Sequence, residues 1–456
     1  MGISNKSILI VFFLALIVRL VNLFLLIPDD FNFRLEDQDI YVNLGLSMLE
    51  TGEFVYNSDN IYITETARTP LYPVFLSAIW NLVGYNPWAV VFIQSIIDSV
   101  TCVIIGLVSS LVVPRTFLLG GVLSAININL VVHSGMILTD SLFLLLFTIF
   151  LWSTVVYLKS RKLKHLIMLS LMLSLSILTR TVAYYLIPIL GFVFLWFLLP
   201  KKESLSKVVL HILTFFLTTS ILLIPLIDRN YKQFNTTSIT SQTGLHLSKY
   251  LVPMAIHFSE GVSYADAVNE VVTKIERSKQ GNWVDDENNP FEVSSYESKI
   301  SIDRLFELDT LQITYSWIAG STLNLISSGV MAMPLVRKLP HRSFYNTPGE
   351  NIIQKLTTFV LDKESIKYLL IIIIANIMSL FLFIVKLFGS YFLVKHSSQY
   401  GEGWTIFFVL GTITYFLLIT GPVIGVKYML PIEPLLTVLL VVGFSGISKK
   451  IIKVKN

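Results

Sequence analysis

Apolar stretches long enough to cross a bilayer recur along this chain, and that recurrence constrains its fold more than any single motif. A spanning helix needs about 20 mostly apolar residues. Ten segments qualify: 7–27, 87–112, 116–134, 139–158, 165–180, 182–199, 205–227, 366–390, 404–421 and 429–447. Two more, "PLYPVFLSAIWNLVG" from Pro70 and "YSWIAGSTLNLISSGVMAMPLV" from Tyr315, are borderline. Only 14% of residues are charged, against about 25% in a soluble domain. The pattern predicts an all-α polytopic membrane protein of about 10–12 transmembrane helices. A net charge of +4 is modest and says little about nucleic acid; what matters is where the Lys and Arg fall. The single cysteine, Cys102, excludes an intramolecular disulfide and a cysteine-rich metal site. It lies in an apolar run, where a thiol is usually inert. The first apolar segment is too long for a signal-peptide core and has no clear small-residue cleavage site, so it reads as a retained helix.

Basic residues set the orientation, because cytoplasmic loops carry an excess of Lys and Arg. "KSRKLKH" from Lys159, "KKESLSK" from Lys201, the tail "KKIIKVKN" from Lys449 and the weaker "PR" at Pro114 are the basic connections. Placing all of them inside closes the count with both termini inside. Segments 70–84 and 315–336 then lie at the outer surface. The outer side holds the acidic loop 28–69, Arg68, Asp140, Arg180, the long loop 228–365 and Lys427. The expected location is the plasma (inner) membrane, with a site facing outside. Three regions follow: 1–227, a transmembrane module that includes the acidic loop; 228–365, an outer helical region; and 366–456, the C-terminal helices. In the second, "SYADAVNEVVTKIERSKQG" reads as an amphipathic helix. Ser263 is its N-cap, Val268, Val271, Val272 and Ile275 form one face, and Gly281 ends it. "DDENNP" reads as a turn, and no stretch alternates as a β-domain would.

The candidate chemistry lies at the outer ends of the spans. "EDQDIYVNLGLSMLETG" reads as a short helix capped by Asp37 or Asp39, with Ile40, Leu44 and Met48 on one face and Gly52 at C′. One cap needs one acid, and Glu36, Asp37 and Asp39 exceed that need. In "RTPLYPVFL", Pro70 and Pro73 restrict any helix to a start at that point. Arg68 there is either an interfacial anchor or a phosphate ligand, since guanidinium pairs bidentately with phosphate. Asp140 in "LTDSLFLLLF" starts a helix, where the helix dipole favours an acid. Arg180 in "LTRTVAYYLIP" lies between two spans. Asp228, Arg229 and Asn230 open the long loop, and Lys427 and Tyr428 in "GVKYMLPIEPLL" precede the last span. Glu433 lies within that span, which is costly unless the acid faces protein, water or a partner. His133 and His246 fall on the outer side too, where a lone histidine is usually just hydrogen-bonded.

In this order and on this side, the series resembles the GT-C glycosyltransferases of families 39 and 83. These include protein O-mannosyltransferases and the lipid A aminoarabinose transferase. The resemblance covers about 1–250 and 400–447. It rests on D-x-x-x-Y from Asp37 to Tyr41, "RTPLYP", "TDSLF", "LTR", "RNY…TGLHL" and "KYMLPIEPLL". The middle of the long loop departs from the family pattern, and a separate C-terminal domain found in some relatives is missing. The resemblance implies a GT-C fold with outer juxtamembrane helices. It also implies inverting transfer of a monosaccharide from a polyprenyl-phosphate donor to a lipid-linked glycan, lipid or protein. Asp37 matches the family's general base. Asp140 would orient acceptor or sugar, and Glu36 is a further acid. Arg68 and Arg229 lead as phosphate ligands, with Arg180 and Lys427 next, and Tyr41, Tyr72, Asn230 and Tyr428 complete the substrate-binding set. Asp37 and Asp140 are also candidate ligands for Mg²⁺ or Mn²⁺; some relatives need a divalent ion and others do not. Expected partners are the donor, the acceptor and membrane lipids, with no nucleic acid. Competing readings are a transporter or flippase of a lipid-linked sugar, which the one-sided charge and the lack of an internal repeat disfavour, and a polysaccharide polymerase or ligase.

Overall fold

The computed structural model describes residues 3–27, 32–34, 37–59, 61–199, 204–279, 288–341, 354, 357–359, 365–397 and 403–454. Its helices in chain order begin with α1 (Asn5–Val21), α2 (Asp37–Thr51), α3 (Leu71–Val83), α4 (Pro87–Val112), α5 (Phe117–Ala125), α6 (Ile128–Ser134), α7 (Asp140–Ser160), α8 (Leu163–Thr179), α9 (Leu186–Leu198) and α10 (Leu205–Ile221). They continue with α11 (Ile224–Phe234), α12 (Gln242–His246), α13 (Val252–Glu260), α14 (Tyr264–Lys279), α15 (Pro290–Phe306), α16 (Thr310–Ile326), α17 (Pro334–Arg337), α18 (Ile366–Lys395), α19 (Gly403–Thr420) and α20 (Glu433–Val454).

Among the described residues, seven helical segments are long and apolar enough to cross a membrane, and nine if each of two bent pairs counts as one span. The pairs α5–α6 and α10–α11 bend by 54° and 57°. Each bend has a local cause. Asn127 ends α5 and caps α6 by accepting from the amides of Asn129 (2.9 Å) and Leu130 (3.4 Å). Pro225 stands in the first turn of α11, where its ring cannot continue a preceding helix. The shorter apolar helix α8 occupies the remaining expected span. All ten expected spans are therefore helices or bent helix pairs, and the chain is a multi-pass membrane protein. Segment 70–84 forms α3, with Pro70 at its N-cap. Segment 315–336 is divided between α16, a 3₁₀ turn and α17.

The largest core joins α4, α7, α8, α9, α10, α18, α19 and α20, with a run of ring contacts in which Phe143 stacks on Phe147, and Phe147 meets Phe150 at a tilt and Phe416 edge-on. Arg19 and Asp98 bridge α1 and α4 inside the apolar bundle. Nε lies 2.6 Å from Oδ2, and both side chains are essentially unexposed. The Arg19 guanidinium also donates to the carbonyls of Ala125 and Ser124, at the end of α5. Such a brace removes backbone acceptors and a carboxylate from lipid together. Near the C-terminus α18 lies against α20 along a seam of glycines. A Cβ on Gly389 would fall 1.9 Å from the Leu439 carbonyl, and one on Gly443 would fall 2.4 Å from that of Val385.

Two features go beyond what the sequence shows. The first loop contains a β-hairpin, Val55–Ser58 against Ile61–Thr64, antiparallel with Val55 opposite Thr64. Asp59 turns it with φ of 50°. Helix α2 ends at Gly52 as expected, but buries Gln38, Val42 and Gly45 more deeply than Ile40 and Met48. Gly45 decides this, because a Cβ there would fall 2.7–2.8 Å from Trp80 and Leu76 of α3.

Between α11 and α17 the described residues form a polar helical lobe. In α14, Ser263 accepts from the Asp266 amide (3.1 Å), and Ala267, Val271 and Ile275 are buried. Val268 and Val272 are half-buried beside them. Gly281 and most of "DDENNP" lie outside the described residues. The lobe core gathers Val252, Ile256, Val271 and Leu308 with Val423, from the turn before the last span.

Candidate active site

Five charged side chains from distant parts of the chain meet at the N-terminus of α2. Asp37 stands in its first turn, with a side chain 44% exposed. Lys427 donates to its Oδ2 at 3.0 Å across 390 residues of sequence. Arg68 lies 3.7 Å from its Oδ1. Asp140, at the start of α7 and almost fully buried, pairs with Arg180, which follows α8. Tyr41 sits one turn beyond Asp37, within electrostatic range of both pairs, and its ring meets Tyr72 edge-on at 5.3 Å.

The electrostatics are those of a carboxylate held ionised. Burial alone would raise the Asp37 carboxyl, but Lys427, by charge and hydrogen bond, then Arg68 and Arg180, bring it below its ordinary value. His246, from the lobe, is pushed below its ordinary value by burial and by the nearby Lys427. Its ring stacks on Tyr250 at 5.8 Å. The cluster holds Arg68, Arg180 and Lys427 against Asp37 and Asp140, a surplus of positive charge that suits an anion. Both carboxylates are already matched by cations. A divalent metal there would face three positive side chains, so the residues as arranged do not fit one. Among the described residues no three His, Cys, Asp or Glu side chains gather to hold a metal.

Several supporting residues escaped the sequence reading. The Glu65 carboxylate accepts from the amides of Ala67 (2.6 Å) and Arg68 (2.8 Å) and so fixes the turn that carries Arg68. Gln38 accepts from the Ile137 amide at 2.9 Å, which ties α2 to the segment before Asp140. Gln94 accepts from the Tyr72 hydroxyl at 2.7 Å and donates to the carbonyls of Ser134 and Met136 at 3.3 and 2.7 Å. Buried Glu433 accepts from the side-chain amides of Asn127 (2.8 Å) and Asn129 (2.7 Å), so it faces protein as its position requires.

Of the residues expected at the site, Asp37, Tyr41, Arg68, Asp140, Arg180, Lys427 and Tyr428 come together. The Tyr428 ring centroid is 5.8 Å from the Lys427 Nζ. Tyr72 is fully buried beneath them with its hydroxyl engaged by Gln94. Arg229 and Asn230 stand behind the Arg68 turn. Arg229 donates to the Glu65 carbonyl (2.9 Å) and to Asn230 Oδ1 (2.7 and 3.0 Å), and Asn230 donates to the Ser238 carbonyl (2.7 Å). Asp39 pairs with Arg34 at 3.1 Å. His133 is buried and donates from Nδ1 to the Asn129 carbonyl at 2.7 Å. Glu36, Asp29 and Asp30 lie outside the described residues.

Residues 67–227 match the model of the dolichyl-phosphate-mannose-protein mannosyltransferase family. Among solved structures, the archaeal oligosaccharyltransferase AglB from Archaeoglobus fulgidus, in complex with an inhibitory peptide and a dolichol-phosphate, aligns with a TM-score of 0.53. It is 14% identical over 97% of this chain and 50% of that one. The Archaeoglobus fulgidus oligosaccharyltransferase tethered to an acceptor peptide aligns at 0.52, with 13% identity over 98% of this chain and 50% of its own. ArnT from Cupriavidus metallidurans bound to undecaprenyl phosphate aligns at 0.39, with 12% identity, over 98% of this chain and 79% of its own. No curated protein matches at a significant level. The chain thus spans about half the length of the oligosaccharyltransferase structures it matches. It shares the all-α polytopic GT-C fold of those oligosaccharyltransferase structures.

Proposed function

We propose that this protein transfers a monosaccharide from a polyprenyl-phosphate-linked donor to an acceptor hydroxyl or amide at the outer face of the membrane, with inversion at the anomeric carbon. The observation that carries this reading is the half-exposed Asp37 carboxylate with Arg68, Lys427 and Arg180 around it. The family match over 67–227 and the dolichol-phosphate named with the AglB structure support the donor class. The acceptor is a lipid-linked glycan, a lipid or a protein, and the plasma (inner) membrane is the proposed location.

Each group has a task in this reaction. Asp37 takes the acceptor proton as the new bond to the anomeric carbon forms. The bond from that carbon to the phosphate oxygen breaks, and its electron pair leaves with the polyprenyl phosphate. Arg68 and Lys427 meet the growing phosphate charge. Asp140 holds Arg180 in place from the buried side. Arg229 and Asn230 contribute by fixing the turn that presents Arg68.

Replacing Asp37 by Asn tests the base in reconstituted protein supplied with donor and acceptor. Turnover is expected to fall by about 10²–10⁴-fold, with donor binding retained. Turnover at the wild-type rate refutes the assignment. Sugar crossing the bilayer without release of polyprenyl phosphate would instead favour a flippase.

A further inference from the structure

Lys427 lies on the turn that joins α19 to the last span, Gly421–Gly425 followed by a 3₁₀ turn over Val426–Tyr428. Such a turn has little regular hydrogen bonding of its own, yet its lysine must meet a carboxylate 390 residues away. Helix α16 of the polar lobe supplies the missing bonds. The Asn324 side chain is buried and donates from Nδ2 to the Val423 carbonyl at 2.7 Å. Its Oδ1 accepts from the Gly425 amide at 2.8 Å. One amide thus satisfies a carbonyl and an N–H two residues apart, which fixes the path of the chain just before Lys427.

The grip extends along α16. Trp317 donates from Nε1 to the Leu418 carbonyl at 3.1 Å. Gly320 lets the turn approach closely, since a Cβ there would fall 2.5 Å from the Pro422 Cα. Downstream of the lysine, Asn127 and Asn129 hold Glu433 from the α5–α6 bend. Lys427 is therefore suspended between a clamp on the lobe and a clamp on the bundle.

We propose that Asn324 is a positioning residue for Lys427, holding the 423–425 turn so that the ammonium group stays at Asp37 and at the phosphate of the donor. The part concerning phosphate rests on the function proposed above; the part concerning position does not. The lobe then sets the geometry of one of the site's cations.

Two measurements on the full-length protein in detergent test this. The first is affinity for farnesyl phosphate, a short polyprenyl phosphate. Asn324→Leu should weaken binding by about tenfold. Adding it to Lys427→Met should cost nothing beyond the lysine change alone, because both act through one contact. Wild-type affinity in Asn324→Leu beside a weakened Lys427→Met overturns the proposal, as do losses that multiply in the double variant. The second measurement needs no ligand: an Asp37→Cys/Lys427→Cys protein is joined across the two positions by a short bismaleimide. Asn324→Leu should lower the cross-linking yield several-fold, and an unchanged yield overturns the proposal. If phosphate affinity proves insensitive to Lys427→Met while the yield still falls, the function reading fails and the positioning role stands. Asn324→Asp, which keeps the Gly425 contact and loses the Val423 one, gives intermediate values and serves if the leucine variant does not fold.

Discussion

Replacing Arg19 by Leu should destabilise the bundle far more than replacing Arg19 and Asp98 together. In the folded protein the pair is sealed, with Arg19 0% and Asp98 1% exposed. Leucine would remove the 2.6 Å contact to Asp98 and the donors to the Ala125 and Ser124 carbonyls. Asp98 Oδ1 already has no hydrogen-bond partner, so the whole carboxylate would be left uncompensated. Breaking a buried pair from one side costs about 3–5 kcal/mol, and the lost carbonyl contacts place Arg19→Leu near the upper end. In Arg19→Leu/Asp98→Leu no charge is stranded. What remains is the loss of the carbonyl contacts, roughly 1–2 kcal/mol. The double variant should thus be more stable than Arg19→Leu by about 3–4 kcal/mol. Unfolding in mixed detergent micelles of rising SDS fraction measures all of these. A single-variant cost below about 1 kcal/mol, or a double variant no more stable than Arg19→Leu, would refute the brace.

Lys427→Met should move the acid limb of the pH–activity profile upward. Asp37 is held below its ordinary value chiefly by Lys427 against burial. A depressed carboxyl keeps its ion pairs above the unfolded value and loses them as pH falls through the folded one, so losing the lysine brings that fall to higher pH; an unmoved limb rejects the coupling. Arg68→Ala should weaken binding of polyprenyl phosphate by about tenfold, and Arg229→Ala should do so less, because Arg229 acts through the Glu65 turn; equal losses in a binding titration would put both on the ligand. Ser58→Cys, on the exposed hairpin, should react with a membrane-impermeant maleimide in intact cells, since Cys102 is buried; labelling only after lysis would invert the proposed topology.

What was legible in the sequence depended on range. Spans announce themselves by local apolar length, and α2 and α14 by caps and spacing, so these elements emerged from short windows of residues. The carboxylates and cations at the outer helix ends were visible because ionisable groups are scarce in such a chain. Partners were not visible. An isolated Arg19 in one apolar run and an isolated Asp98 in another carry no mark of each other, and the same holds for Glu433 with Asn127 and Asn129. Asn324 lies in a stretch that read as borderline apolar, and its importance comes from two backbone groups that no side-chain pattern records. In α2 the face of Ile40, Leu44 and Met48 is legible from spacing, whereas the close approach of the helix at Gly45 depends on Trp80 and Leu76 of α3, which no local pattern records.

The glycine seam between α18 and α20 bears on the order of assembly during synthesis. Much of the rest of α18 is an exposed apolar surface, from Leu370 through Phe381 to Leu387. Its close backbone contacts are with residues that follow it by about fifty positions, Gly389 against Leu439 and Val385 against Gly443. When α18 first enters the bilayer, the ribosome has not yet made the helix it will lie against. Its first turns already meet Met333 and Val336 through Tyr368 and Ile372, but its later turns must wait against lipid until the final span emerges. The segment carrying Lys427 is made in that interval, and the segment carrying Glu433 comes next. The site's cations are therefore completed late, from the C-terminal end, after the carboxylates that receive them are in place.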